Sequence, residues 1–365
     1  MENGFYVPIL KAKYGEFLAL SQLTPDTRKH IIPLLEITPK EWDHEGKKKA
    51  LSMEEHLVKI SLKFIKYWPF DSTFIDTALI CQEQADSSSC IEYLYKRFFE
   101  RGLRPIPVIA LTSPAGHLAG VHAVQQKYTI NDCALRVTIA ELSDPGLNEK
   151  VLEFLALQAL ESRNMHLILD LAAAEFEDYD GFAEAILGRL EHFPMLQNWK
   201  SFTVCGSALP SSGNIKDSIN CIPRNEWNFY QSLREKIKLT DFRRELNYGD
   251  YSIVSPGYFE FDPEKMTTSA KIKYTTRENY MIMKGKSLKT KGYGQYISQA
   301  QEITSSLYFE GEFFSAGDKH LKECADKQTK TGNASIWNSV GNNHHITRVV
   351  TDLFSSPLLT SYIEA

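Results

Sequence analysis

The sequence predicts an α/β protein: a (β/α)8, TIM-barrel-like domain followed by a C-terminal α+β subdomain. Three observations carry that expectation. Eight short apolar runs rich in β-branched and aromatic residues recur at a mean interval of about 35 residues, the length of one strand-helix unit. The runs are almost continuously apolar, as strands covered on both faces must be. The segments between them carry apolar residues at helical spacing. An open doubly wound parallel sheet has the same alternation, and only closure of the eighth strand onto the first separates the two.

The runs occupy residues 5–10, 31–37, 73–80, 105–111, 134–139, 165–171, 202–205 and 251–254. Three share an apolar-Pro-apolar-apolar pattern, Val7-Pro8-Ile9-Leu10, Ile32-Pro33-Leu34-Leu35 and Ile106-Pro107-Val108-Ile109, which marks them as equivalent units. Proline lacks the ladder N–H, so each is expected at the start of its strand. Leu57, Ile60 and Phe64 with Val58, Leu62 and Ile65 recur at helical period after the second run; Ile91, Leu94, Tyr95, Phe98 and Phe99 do so after the third, and Val151, Leu152, Leu155 and Leu160 after the fifth. His117 and His122 stand among Gly116 and Gly120 without i, i+4 spacing and are expected in a loop. The interval 205–251 holds Gly206, Pro210, Ser211-Ser212-Gly213 and Pro223 before a helix at about 225–238. It is the expected elaborated loop of the active face.

After residue 260 the character changes, which divides the chain into a barrel, 1–260, and a subdomain, 261–365. Lys271–Tyr274 and Tyr280–Met283 flank a polar Thr-Thr-Arg-Glu-Asn turn and predict an antiparallel hairpin. Helices are expected at about 295–307, 318–326 and 335–353. The subdomain carries thirteen Lys and Arg against eleven Asp and Glu, net +2, which leaves −7 on the barrel.

Composition bounds the function. The 365 residues have 43% hydrophobic and 24% charged content and a net charge of −5, so the whole chain is no polycation built to coat nucleic acid or anionic lipid. No apolar run approaches the roughly 20 residues that cross a bilayer, and no secretory leader opens the chain, so a cytoplasmic protein is expected. The six cysteines form no C-x-x-C pattern and are expected mostly as buried thiols. Walker, zincin and nucleophile-elbow motifs are absent from the sequence.

Three constellations remain. Lys11, Glu36, Asp76, Arg136 and Asp170 each follow or interrupt an apolar run near its end, where a barrel places its chemistry. Glu36, Asp76 and Asp170 could ligate Mg²⁺ or serve as acid and base, with Lys11 and Arg136 neutralising an anionic substrate; alternatively the five could pair with one another and plug a scaffold. His344 and His345 follow Gly341-Asn342-Asn343, which reads as a turn presenting imidazoles at the start of a helix, beside an anion. Adjacent histidines point apart on a helix, so at most one faces any given site; the bland alternative is a cap with one His buried and one exposed. Finally, Lys271, Lys273, Arg277, Lys284, Lys286, Lys289 and Lys291, interleaved with Tyr274, Tyr280 and Tyr293, could follow a phosphate backbone while the tyrosines stack on bases, or form a solvated face.

The opening Tyr6-Val7-Pro8-Ile9-Leu10-Lys11-Ala12-Lys13-Tyr14-Gly15-Glu16, the strand Pro33-Leu34-Leu35-Glu36-Ile37, the turn Ser315-Ala316-Gly317-Asp318 and the ending Trp337 through Gly341-Asn342-Asn343-His344-His345-Ile346 together resemble the phage "Beta protein" family. The resemblance spans nearly the whole chain. It implies a protein of bacteria, prophages or phage satellites, and a role in a locus where the family's name-giving member restrains a toxic neighbour and which is implicated in anti-phage defence. By that likeness this chain is expected to be an antitoxin-like or sensing component that binds a protein partner from its own locus. The resemblance brings no catalytic residue set with it. An enzyme, namely a divalent-metal-dependent hydrolase or lyase acting on a phosphorylated or nucleotide substrate, is the alternative, and nucleic-acid binding through 271–291 is a third.

Overall fold

The computed structural model describes residues 4–43, 48–49, 51–70, 72–211, 215–216, 218–241, 244–258 and 267–355. Ser212 and Gly213 of the long loop, and Lys265, lie outside the described residues. Eight parallel strands close into a barrel. They are β1 (Val7–Lys11), β2 (Leu34–Glu36), β3 (Phe74–Asp76), β4 (Ile106–Ile109), β5 (Cys133–Thr138), β6 (Met165–Asp170), β7 (Ser201–Gly206) and β9 (Asn247–Asp250). β1 pairs with β2 on one side and with β9 on the other, Val7 facing Gly249 and Pro8 facing Asp250, which is the closure that separates a barrel from an open sheet.

The continuous apolar runs arise because both faces of each strand are buried. Inward side chains at every second position, among them Val7, Ile9, Leu34, Phe74, Val108, Ala134 and Ile168, fill the barrel. The outward set, including Leu10, Leu35, Ile75, Leu135 and Leu169, packs under the helices. Helix Met53–Tyr67 begins with a capping box in which Ser52 and Glu55 satisfy each other's backbone N–H, and helix Cys90–Phe99 repeats the device with Ser89 and Glu92. Pro8 and Pro107 are second residues of their strands and Pro33 just precedes β2, where a missing N–H disturbs the ladder least.

Two expectations change here. The eighth strand is Asn247–Asp250 and not the apolar run 251–254, which turns away through Ser252 at φ 53°. A strand reading Asn-Tyr-Gly-Asp escapes an apolar criterion. Its glycine is required by packing, since a Cβ on Gly249 would stand 2.8 Å from the Cys205 Cβ and 3.0 Å from the Val7 carbonyl. His117 and His122 belong to helix Ala115–Tyr128 and not to a loop; His117 is buried, with Nε2 2.8 Å from Thr77 Oγ1.

The hairpin is present as β10 (Ser269–Thr275) and β11 (Asn279–Ser287). Its third strand is β8 (Ile219–Pro223), supplied by the long interval after β7 and antiparallel to β11. Helices Gln295–Thr304, Ala316–Ala325 and Ala334–Phe354 follow. Tyr296, Ile303, Leu321, Trp337 and Val340 pack with Ile272 and Met283 of the hairpin in a second core. The last helix also places Ile346, Val349 and Val350 in the main core, so one helix is shared by both.

Candidate functional site

The inward positions of the strands end in a polar layer on top of the apolar fill. Lys11 follows Val7 and Ile9, Glu36 follows Leu34, Asp76 follows Phe74, Arg136 follows Ala134, and Asp170 follows Ile168, each two residues on and therefore on the same face. Lys11 is in register with Glu36, and Glu36 with Asp76. The five residues singled out from the sequence meet at the mouth.

Arg136 is the hub. Its Nη1 donates to Glu36 Oε1 at 2.9 Å and to Asp76 Oδ2 at 2.6 Å, while Nη2 and Nε reach Asp170 Oδ2 at 2.7 and 3.0 Å. Lys11 binds the other oxygen of Glu36. The second oxygens of Asp76 and Asp170 accept the backbone N–H of Ala78 and Ala172 at 2.8 and 2.9 Å. All six carboxylate oxygens therefore have a donor from the chain itself. Burial works against the charge on Arg136, but Tyr251, Asp170, Asp76 and Glu36 outweigh it and hold the guanidinium charge more firmly than usual. The cation at the centre of the three carboxylates is thus a guanidinium. Among the described residues no group of three or more His, Cys, Asp or Glu side chains is placed to hold a metal ion.

Tyr251 completes the layer and was not among the sequence candidates. Its hydroxyl donates to Asp170 Oδ2 at 2.6 Å and accepts from Arg136 Nη2 at 2.7 Å, and burial raises its pKa well above the usual value. The signal was parity: Asn247, Gly249 and Tyr251 share the inward face of β9 and its continuation.

His344 and His345 lie in the middle of helix Ala334–Phe354 and both are buried, so neither the helix-start reading nor the half-exposed cap stands. The expectation that they face apart holds. His344 sets Nδ1 2.7 Å from Asp318 Oδ2 and Nε2 2.7 Å from the Thr275 carbonyl, which fixes the ring between the neighbouring helix and the hairpin. Tyr274 and Ser315 hydroxyls also donate to Asp318. His345 places Nε2 2.9 Å from Asp250 Oδ2 and Nδ1 2.9 Å from Thr275 Oγ1. Burial lowers the His345 pKa, so the neutral ring donates to Asp250 and accepts from Thr275. Asp250 also takes the Tyr6 hydroxyl at 2.5 Å. These histidines bolt the last helix to the barrel end and to the hairpin.

The basic hairpin divides. Arg277, Lys286, Lys289 and Lys291 are exposed, and Lys271 and Lys284 are half-buried. Lys284 donates to the Ile215 carbonyl at 2.6 Å. Lys273 turns its ammonium inward onto the Ile253 carbonyl, and burial lowers its pKa to about 7. Tyr274 and Tyr280 are buried, 3% and 1% exposed, which removes them as stacking platforms; of the three tyrosines only Tyr293 is exposed. The two buried tyrosines lie on opposite faces of the hairpin, Tyr274 in the core with the C-terminal helices and Tyr280 against Leu209 and Ile215, so both faces of the sheet are covered.

The Beta protein family model matches residues 6–351, nearly the whole chain. The chain belongs to the Beta protein family. No curated protein matches it. In this Beta protein the matched span runs from the first barrel strand to the helix that carries the two histidines, so barrel and C-terminal sheet belong to one family unit. Among the described residues no helix is long and apolar enough to cross a membrane.

Proposed function

We infer that this Beta protein acts by binding a macromolecular partner, as an antitoxin-like or sensing component of a phage-associated defence locus, with the barrel as its scaffold. One observation carries the reading. Every carboxylate oxygen of Glu36, Asp76 and Asp170 is already held by a donor of the chain, so none of these three is left as a free base or metal ligand. A mouth whose charges are consumed internally suits a rigid platform better than a hydrolytic centre. The test is co-expression with the product of the neighbouring gene. The expected result is co-purification of the two proteins and relief of any toxicity of the neighbour; absence of both sinks the reading.

A second reading keeps one observation of its own. The charged layer sits at the C-terminal ends of the strands, the face on which (β/α)8 enzymes work, and a phosphorylated or nucleotide substrate could draw Arg136 away from its carboxylates. Hydrolysis of such a substrate that depends on added Mg²⁺ and is abolished by Asp170→Asn would replace the first reading.

A further inference from the structure

Next to the Arg136 layer, and not part of it, a cavity of about 430 Å³ opens between the first turn of helix Tyr14–Ser21, the segment after β2 and helix Met53–Tyr67. Liquid water occupies about 30 Å³ per molecule, so this volume exceeds that of a few trapped waters. The last helix forms one wall through Ser335 and Asn338. Its approach is close enough that a Cβ on Gly15 would stand 2.7 Å from the Ser335 carbonyl, which requires glycine there.

Two independent observations meet in this cavity. Glu16 lines it and is only 7% exposed, yet its carboxylate receives no hydrogen bond from any other described residue. Burial raises its pKa against its own amide and the charges of Lys13, Lys11 and Lys63. Its own amide is the one donor this buried carboxylate has, which leaves acceptor capacity facing the cavity for a partner from outside the chain. The second observation is positive charge. Lys59 and Lys63, one helical turn apart, line the same cavity with Lys13, and neither Lys59 nor Lys63 pairs with a carboxylate among the described residues. The N–H groups of Tyr14 and Gly15 open the helix without a backbone acceptor among the described residues, which adds the favourable end of a helix for an anion. The other carboxylate of the lining, Glu41, is exposed at the rim.

We propose that this cavity binds a phosphorylated small molecule, its phosphate held by Lys59, Lys63 and the first turn of helix Tyr14–Ser21, and its own hydroxyl or N–H donated to Glu16. The lysines supply charge-assisted bonds to the phosphate, and the ligand supplies Glu16 with a donor beyond its own amide. Thr38, also in the lining, offers a further polar contact. The proposal is independent of partner binding and of any chemistry at Arg136.

The experiment is calorimetric titration of the full chain with two probes, inorganic phosphate and ribose 5-phosphate. Both are expected to bind, the sugar phosphate about fivefold more tightly because it alone has hydroxyls that reach Glu16 while its phosphate stays on the lysines. The exposed-side pair Lys59→Gln/Lys63→Gln keeps the fold and is expected to weaken both probes about tenfold or more. Glu16→Gln removes a negative charge beside the anion, so inorganic phosphate binds more tightly and the advantage of the sugar phosphate shrinks. No saturable binding of either probe up to about 10 mM, a limit set by the affinity range of a weak metabolite site, overturns the proposal. Unchanged affinities in the lysine double variant, with native circular dichroism, overturn it as well. An unchanged preference for ribose 5-phosphate in folded Glu16→Gln removes Glu16 from the site.

Discussion

Arg136 and Asp170 meet twice, Nε and Nη2 of the guanidinium converging on the single oxygen Oδ2 at 3.0 and 2.7 Å. Tyr251 closes a triangle with them, since its hydroxyl donates to that same oxygen and accepts from Nη2. Asp170 Oδ2 is therefore the most heavily used acceptor of the layer, and among the described residues Arg136 is the only group that touches all three carboxylates.

Arg136→Leu leaves Glu36, Asp76 and Asp170 close together without their shared cation. The expected loss is about 3–5 kcal/mol, the cost of stranding buried charge. Arg136→Lys keeps the charge without the planar fork and should fall between the two. Equilibrium denaturation measures both, and a Leu variant as stable as the native protein would show that the layer is not coupled.

Tyr251→Phe removes one hydroxyl from a triangle whose other two members still reach each other. The expected cost is small, about 1 kcal/mol, the net worth of an ordinary hydrogen bond. A loss several times larger in the same denaturation assay would mean that Tyr251, and not Arg136, organises the mouth.

Glu226 is buried, accepts from Tyr280 at 2.5 Å and from the Ala208 N–H at 3.1 Å, and burial raises its pKa to about 7. Between its unfolded value of 4.5 and about 7 the folded state holds a proton that the unfolded state has released, so stability falls as pH rises through this window. Glu226→Gln removes the titration, and its stability relative to the native protein should improve from pH 4 to pH 8 by at most about 3 kcal/mol. Paired thermal melts at the two pH values check the sign.

Asp318→Ala takes away the carboxylate under His344 Nδ1 and leaves the Tyr274 and Ser315 hydroxyls without their acceptor. A loss of about 3 kcal/mol is expected when buried hydrogen-bonding groups are left without the carboxylate they share. Because His344 belongs to helix Ala334–Phe354, amide exchange should accelerate there before it does in the barrel strands.

The barrel was legible because covering a strand on both faces forces a continuous apolar run, and eight such runs at one spacing leave few architectures. Lys11, Glu36, Asp76, Arg136 and Asp170 were legible for a related reason: a charge in such a run must sit at its end or be paired, and here it is both. Tyr251 was not, since its strand is polar and glycine-bearing and its own apolar neighbours suggested a strand four residues late. The histidines were misplaced because Gly341-Asn342-Asn343 imitates a turn. Gly341 is there for contact, as a Cβ would stand 2.7 Å from Ile253 Cδ1 and 3.0 Å from the Lys273 carbonyl. Asn343 is there to donate to the Ala19 carbonyl and accept from the Gly317 N–H. Both reasons lie far off in the chain and leave no local trace.

That distance sets the order of events during synthesis. Tyr6 shares Asp250 with His345, and Ala19 waits for Asn343, a separation of 324 residues. A ribosome makes this helix after every barrel strand, so the barrel stays unbolted until residues 334–354 have emerged. A chain cut short before residue 334 would emerge with its first strand in place and the residue that fastens it missing. Termination between residues 255 and 334 should therefore be as damaging as termination inside the barrel.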